Sequence, residues 1–388
     1  MKIIIALLIF SLIVIIHELG HFLLARLNGV EVTEFSLGMG PRIVTFVKTD
    51  KGMRIKFFAS TKVCETTEGW AGKTKYSIKI LPFGGSCIML GEDDVVESEN
   101  AFCNKNVYQR MSVVFAGPFF NFVLAFILSV IIIAAAGYDK PVVVSVEDNM
   151  PMKEAGVLPG DEIVKINKTK IHLDREISAY FTFNPLTEGE TIDFTVKRGD
   201  ETFNVSVEPK LAKNESIEDG FVSGATQEKK EVTSSYRVGF VHGSDRVKGN
   251  AIDVLKYSVY EVKYWIVTTV KSLGMMVTGQ VSKDEISGPV GIVNTIGDLV
   301  DETKNYGISS VMLTLMSFCI LLSANLGVMN LLPIPALDGG RLLFQIIEVI
   351  RRKPINQEKE GIITLIGFAA LMVLMVLILF NDISKIIG

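Results

Sequence analysis

The stretch His17-Glu18-Leu19-Gly20-His21 follows an almost unbroken apolar run from Ile3 to Ile16, which sets a metal-binding pattern inside a helix of membrane length. Two histidines four residues apart on a helix differ by about 40° around its axis and one turn along it, so both imidazoles reach one Zn2+. Glu18 between them is then close enough to act as general base on a zinc-activated water. H-E-x-x-H alone recurs by chance, but ionisable side chains in hydrocarbon are costly unless they are paired or bind something. Counted from Ile3 at about 1.5 Å per residue, His17 lies roughly 21 Å along the helix, well inside a bilayer core. The competing reading makes these surface residues just beyond a membrane anchor.

The chain is 48% hydrophobic with mean hydropathy +0.37. It is too apolar for an ordinary soluble protein, yet long polar stretches dilute it, which predicts a membrane protein with an inserted soluble domain. A net charge of −4 without a basic stripe argues against nucleic acid as a partner. Cys64, Cys87, Cys103 and Cys319 lack metal-ligand spacing and imply no disulfide framework. Lys2 and the apolar run imitate a signal peptide, but no A-x-A-like site follows and Phe22-Leu23-Leu24-Ala25 resumes the run. A retained transmembrane helix is expected.

Taking about 20 apolar residues per crossing, the sequence predicts a polytopic α-helical membrane protein with four transmembrane helices, membrane-associated β-hairpins and an inserted α+β domain. The first helix with H-E-x-x-H occupies residues 1–26, and a cytoplasmic or membrane-reentrant hairpin region follows at 27–111. The second helix is 112–137, and an extracytoplasmic domain covers 141–242 with a flexible polar loop at 212–235. Amphipathic interfacial helices fill 243–300, where Asp253, Lys256, Glu261, Lys263 and Lys271 argue against a fifth crossing. The third region, 305–345, holds an apolar span at about 309–332 with the N-x-x-P-x-P-x-L-D-G-G stretch at its end, a cytoplasmic connection spans 346–360, and the fourth helix is 361–381. Lys2 favours a cytoplasmic N-terminus, whereas twelve Lys/Arg from Arg26 to Arg110, with Arg341, Arg351, Arg352, Lys353 and Lys359, place both basic connections inside.

Alternating residues such as Arg54-Ile55-Lys56-Phe57 and turn glycines give 27–91 hairpin character. Around Ile80-Leu81-Pro82-Phe83-Gly84-Gly85 such a hairpin beside a zinc could offer its edge to an extended substrate, making Gly84 and Gly85 candidate positioning residues. The alternative is a small cytosolic hairpin with no catalytic part. Ala116-Gly117-Pro118-Phe119-Phe120-Asn121 opens the second helix; Gly117 permits close packing, and Asn121 is either helix-packing glue or a site residue. Lys153 to Asn167 carries the A-G-V-x-x-G-D-x-I-x-x-I-N pattern and resembles PDZ domains, which bind extended peptides by strand addition.

Asn330-Leu331-Leu332-Pro333-Ile334-Pro335-Ala336-Leu337-Asp338-Gly339-Gly340 breaks a helix with two prolines and follows the break with one carboxylate. A catalytic zinc typically takes three protein ligands, and His17, His21 and Asp338 supply that set; the alternative for Asp338 is a cap on the next helix. Together with Leu37-Gly38-Met39-Gly40-Pro41, these motifs resemble the site-2 protease family of intramembrane zinc metalloproteases, in its bacterial regulator-of-sigma-E-protease type, in order and over nearly the whole chain. The resemblance implies one Zn2+ held by His17, His21 and Asp338, Glu18 as base, and Asn121 and Asn330 near the site. It implies an N-terminus and PDZ domain outside the bacterial cytoplasmic membrane, with the metal toward the cytoplasmic side. It further implies regulated cleavage of single-span substrates, such as anti-sigma factors or signal-peptide remnants, after an upstream extracytoplasmic protease has cut first. One PDZ signature is present where some relatives carry two. The readings from other classes are a zinc transporter or receptor, which has no need of Glu18, and a membrane-anchored PDZ adaptor with a vestigial site, which would lack a ligand.

Overall fold

The computed structural model describes residues 2–92, 94–218, 229–243, 245–280 and 288–387. The chain divides into two units, one of residues 1–129 with 265–388 and the other of residues 130–264.

Four helices of the first unit are long and apolar enough to cross a membrane, as the apolar runs predict: Lys2–Leu27, Val107–Ala136, Ile308–Asn330 and Glu358–Lys385. The first is α1. A sheet region follows it, with β1 (Val32–Thr49), β2 (Gly52–Phe57), the short helix α2 (Thr61–Thr66) and β3 (Lys75–Met89), before α3 (Val107–Ala136). The strands lie in the order β2-β1-β3. β1 and β2 form an expected local hairpin, from Val44↔Phe57 to Thr49↔Gly52, whereas β1 and β3 are both bent and pair across the bends. The first arm of β1 pairs with both arms of β3 (Phe35↔Cys87 and Phe35↔Tyr76, Leu37↔Gly85 and Leu37↔Ile78), and its second arm pairs with the first arm of β3 (Val44↔Ile78, Val47↔Lys75). The bend of β1 falls at Gly38 and Gly40, with φ of +84° and +87°. A Cβ on Gly38 would meet the carbonyl oxygen of Leu81 at 2.3 Å, so glycine is required where the strands cross.

Glu34, buried at the centre of this sheet, accepts two hydrogen bonds from Arg42 at 2.8 and 2.7 Å. Burial pushes its carboxyl up, but Arg42, Ser77 and Lys79 outweigh that and hold it below the usual carboxylate range. A core of Ala25, Val30, Val32, Cys87, Met89 and Val113 ties the sheet to α1 and α3.

In the second unit, α3 runs to Ala136 and the chain continues through β4 (Val143–Val146), α4 (Pro151–Glu154), β5 (Glu162–Ile166), β6 (Thr169–Lys170), α5 (Arg175–Phe183), β7 (Ile192–Arg198) and β8 (Glu201–Val207). Four of these strands form a sheet, β6-β5-β7-β8, over a core of Ile163, Ile166, Ile177, Phe194 and Val196. The segment 212–235, expected as a loop, instead contributes to an antiparallel pair, β9 (Lys210–Glu218) with β10 (Lys229–Arg237); residues 219–228 lie outside the described residues. A run of Lys, Glu and Ser reads as loop because it carries few apolar residues, yet backbone pairing needs no apolar face. β11 (Phe240–His242) pairs with β4.

Asp161 anchors this unit. Its carboxylate accepts hydrogen bonds from Arg198 at 2.7 and 2.8 Å and from the Leu158 N–H at 2.9 Å. The Arg198 guanidinium, outweighing burial, holds the carboxyl below its ordinary value. Because the folded pKa is depressed below the unfolded one, the stabilisation is full above the unfolded value near 3.9 and is lost as pH falls through the folded value. Asp161→Ala is expected to cost about 2–3 kcal/mol. Hydrogen exchange of β5 and β7 amides in the whole protein checks this: protection should fall in the variant at pH 7, and the gap to wild type should close in acid.

The region 243–300 holds α6 (Ala251–Val277) and α7 (Pro289–Thr303), and α6 is not among the helices apolar enough to cross. Within the third region, 305–345, the helix breaks at the two prolines as expected. α8 (Ile308–Asn330) ends before the prolines, and α9 (Asp338–Arg351) starts anew and takes up much of the expected connection. Between them Ala336 adopts φ +80°. Gly339 and Gly340 let α9 begin against the turn, since a Cβ on them would meet the Leu332 and Ile334 carbonyl oxygens at 2.1 and 2.5 Å. The last helix, α10 (Gln357–Ile387), exposes Leu365, Ile366, Val373, Leu377 and Phe380.

Candidate metal centre

Three helices meet at the H-E-x-x-H turn. Gly20 lets α1 touch α3, because a Cβ there would lie 2.3 Å from the Ala116 carbonyl oxygen. On α3, Val113, Gly117 and Asn121 stand four residues apart and so share one face. Gly117 faces both imidazoles: a Cβ would lie 2.3 Å from His21 Nε2 and 2.8 Å from His17 Cε1. His21 Nδ1–H donates to the Val113 carbonyl at 2.9 Å, which leaves a lone pair on Nε2. His17 Nδ1 lies 3.2 Å from the amide of the fully buried Asn121, whose Oδ1 lacks a partner. With the amide turned to present Oδ1, it accepts His17 Nδ1–H and fixes that ring the same way. Ser323 of α8 donates to the Asn121 carbonyl at 2.8 Å, completing the three-helix junction.

Asp338, the first residue of α9, brings Oδ2 to 3.1 Å from His17 Nε2 and 3.4 Å from His21 Nε2. The two Nε2 atoms are 3.2 Å apart. Among the described residues this is the one group of three such side chains arranged to hold a metal ion. Asp338 Oδ2 is buried with no hydrogen-bond donor. Two imidazole nitrogens and a carboxylate oxygen converging within 3.4 Å of one another can share a cation between them. Donors about 2.0–2.1 Å from a tetrahedral ion lie about 3.3–3.4 Å from one another, close to the separations here, so the set fits zinc.

Glu18 lines the same cavity of about 890 Å3 as His17, His21 and Asp338. A Cβ on Gly85 would approach its Cγ at 3.3 Å, which puts the second arm of β3 beside the candidate base. Gly84, at φ +79°, packs on Met39. Asn330 ends α8 half-buried and is not among the residues lining the cavity. Several cavity residues carry no motif. Arg110 with Glu348 (2.6 Å) and Arg341 with Glu92 form ion pairs in its wall, and α10 contributes Glu360, Thr364 and Phe368.

Comparison with known proteins agrees with this geometry. The model of peptidase family M50 matches residues 5–374. A Clostridium acetobutylicum protein is 35% identical over 98% of this chain and 97% of its own. The regulator of sigma-W protease RasP of Bacillus subtilis is 31% identical over 97% of each chain, and the zinc metalloprotease RasP of Geobacillus kaustophilus 29% over 97% of this chain and 96% of its own. The B. subtilis match runs over 461 positions against 388 residues here, so that relative carries inserted residues. With the family model covering most of its length and a metal-ligand set at its centre, the chain belongs to peptidase family M50, the site-2 proteases that its motifs resemble.

Proposed function

We propose that this zinc metalloendopeptidase hydrolyses peptide bonds within the transmembrane segments of single-span membrane proteins. The observation that carries the reading is the juxtaposition of His17, His21 and Asp338 with Glu18 on a helix long and apolar enough to cross a membrane. His17, His21 and Asp338 would hold one zinc ion, which when bound supplies Lewis acidity that polarises a carbonyl and lets water lose a proton near pH 7. Glu18 takes that proton as water attacks the scissile carbonyl carbon, and returns it to the amine as the C–N bond breaks. Val113 and Asn121 hold the two imidazoles in the tautomer that presents Nε2.

A transmembrane substrate hides its peptide groups in helical hydrogen bonds and must unwind to be cut. The second arm of β3, running past Glu18 at Gly85, offers a strand edge for the unwound segment. The N-terminus lies outside the cell, the basic connections inside, and the metal toward the cytoplasmic face. Residues 141–242 act as an extracytoplasmic PDZ domain that excludes substrates not yet trimmed by a first protease. Anti-sigma factors and signal-peptide remnants fit as substrates, in keeping with the regulator of sigma-W protease among the relatives.

Purified protein should cleave a tagged single-span substrate within its apolar segment, lose activity to a zinc chelator, and regain it with added zinc. Cleavage that persists after the metal is removed, or cuts confined to soluble flanks, would contradict the proposal.

A further inference from the structure

On α9, Asp338, Arg341, Gln345 and Glu348 follow a 3-4-3 spacing, so they share one helix face, and all four line the catalytic cavity. Asp338 belongs to the metal set, Arg341 pairs with Glu92, and Glu348 pairs with Arg110. Gln345 differs from them. It is 5% exposed, and its Oε1 is buried with no hydrogen-bond partner among the described residues. A buried amide acceptor left unpaired destabilises a fold, and a leucine or methionine of similar volume would avoid that cost. Such a group held in the wall of a catalytic cavity is suited to a partner that arrives with the substrate.

The chemistry of the partner follows from where the substrate comes from. The side chains of a transmembrane segment are apolar, and its polar groups are peptide N–H and C=O, exposed once the helix unwinds. A primary amide carries both the acceptor and the donors that complement a peptide group. The charged neighbours on the stripe already have partners and offer less to a neutral backbone. Gln345 lies seven residues beyond Asp338, about 10 Å along α9, which an extended peptide covers in about three residues.

We propose that Gln345 is a substrate-binding residue whose side-chain amide pairs with a backbone peptide group about three residues from the bond that is cut. This rests on the intramembrane endopeptidase reading above.

The test uses the full-length protein, synthetic single-span peptides, and a series in which one backbone amide at a time, on either side of the cut, is replaced by an ester. Gln345→Met should raise the thermal midpoint, leave zinc content and kcat unchanged, and raise KM for the all-amide peptide about tenfold, one hydrogen bond's worth. An ester about three residues from the cut should raise the wild-type KM similarly and leave that of the variant unchanged. Wild type that cuts, together with a variant of unchanged KM, overturns this proposal and spares the endopeptidase reading. So does a variant of lower thermal midpoint, which would give the amide a structural role, or an ester series that affects both proteins alike. A wild type that cuts none of the peptides overturns the endopeptidase reading and this proposal with it.

Discussion

Gly117→Ala is expected to lower kcat/KM by at least about 100-fold and to reduce bound zinc while leaving the helices intact. The added methyl would sit 2.3 Å from His21 Nε2 and 2.8 Å from His17 Cε1, so at least one ring must leave its place. Neither ring is free to yield cheaply. His21 is held by the Val113 carbonyl one turn before Gly117, and His17 by Asn121 one turn after it. Separating α1 from α3 instead would open the Gly20–Ala116 contact. Gly274→Ala on α6, where a Cβ meets nothing within 4 Å, is the control and should change neither zinc content nor rate. Metal analysis, circular dichroism and cleavage of a single-span substrate by the two variants check the contrast. Equal zinc and equal rates would mean that Gly117 does not set the position of the rings.

Asp338→Ala is expected to abolish metal retention and reduce hydrolysis to background. Two imidazoles alone leave zinc short of the three protein ligands that catalytic sites typically supply. The same residue opens α9, so a helix-capping role competes with the ligand role. The two differ in what they predict. Loss of a cap costs about 1 kcal/mol of stability and leaves the metal in place, whereas loss of a ligand empties the site and leaves the fold standing. Zinc content and thermal midpoint measured on one preparation separate them.

The metal set was legible in the sequence because each member obeys a local rule: histidines at helical spacing, and a carboxylate directly after a proline-broken helix. The cradle on α3 was legible only in part. Gly117 and Asn121 stand out in an apolar run, but the acceptor that fixes His21 is the backbone carbonyl of Val113, and a backbone atom leaves no trace in residue type. The sheet region read as strands and its β1–β2 hairpin was legible, but the pairing of β1 with β3 was not. Gly38, Gly40 and Gly84 look like hairpin turns, whereas Gly38 and Gly40 mark the bend of one long strand and the arms pair across the bends. Two prolines announced the end of α8, and the polar stripe of α9, at 338, 341, 345 and 348, was readable afterwards as helical periodicity.

The proposed chemistry has Glu18 moving the proton in a hydrolysis at a metal that His17, His21 and Asp338 would hold. The most direct measurement is cleavage of a tagged single-span substrate by wild type and by Glu18→Gln, with bound zinc quantified in both. That chemistry predicts equal zinc and a rate lower by about 100- to 10,000-fold in the variant. A variant that keeps its zinc and cuts at the wild-type rate would contradict it.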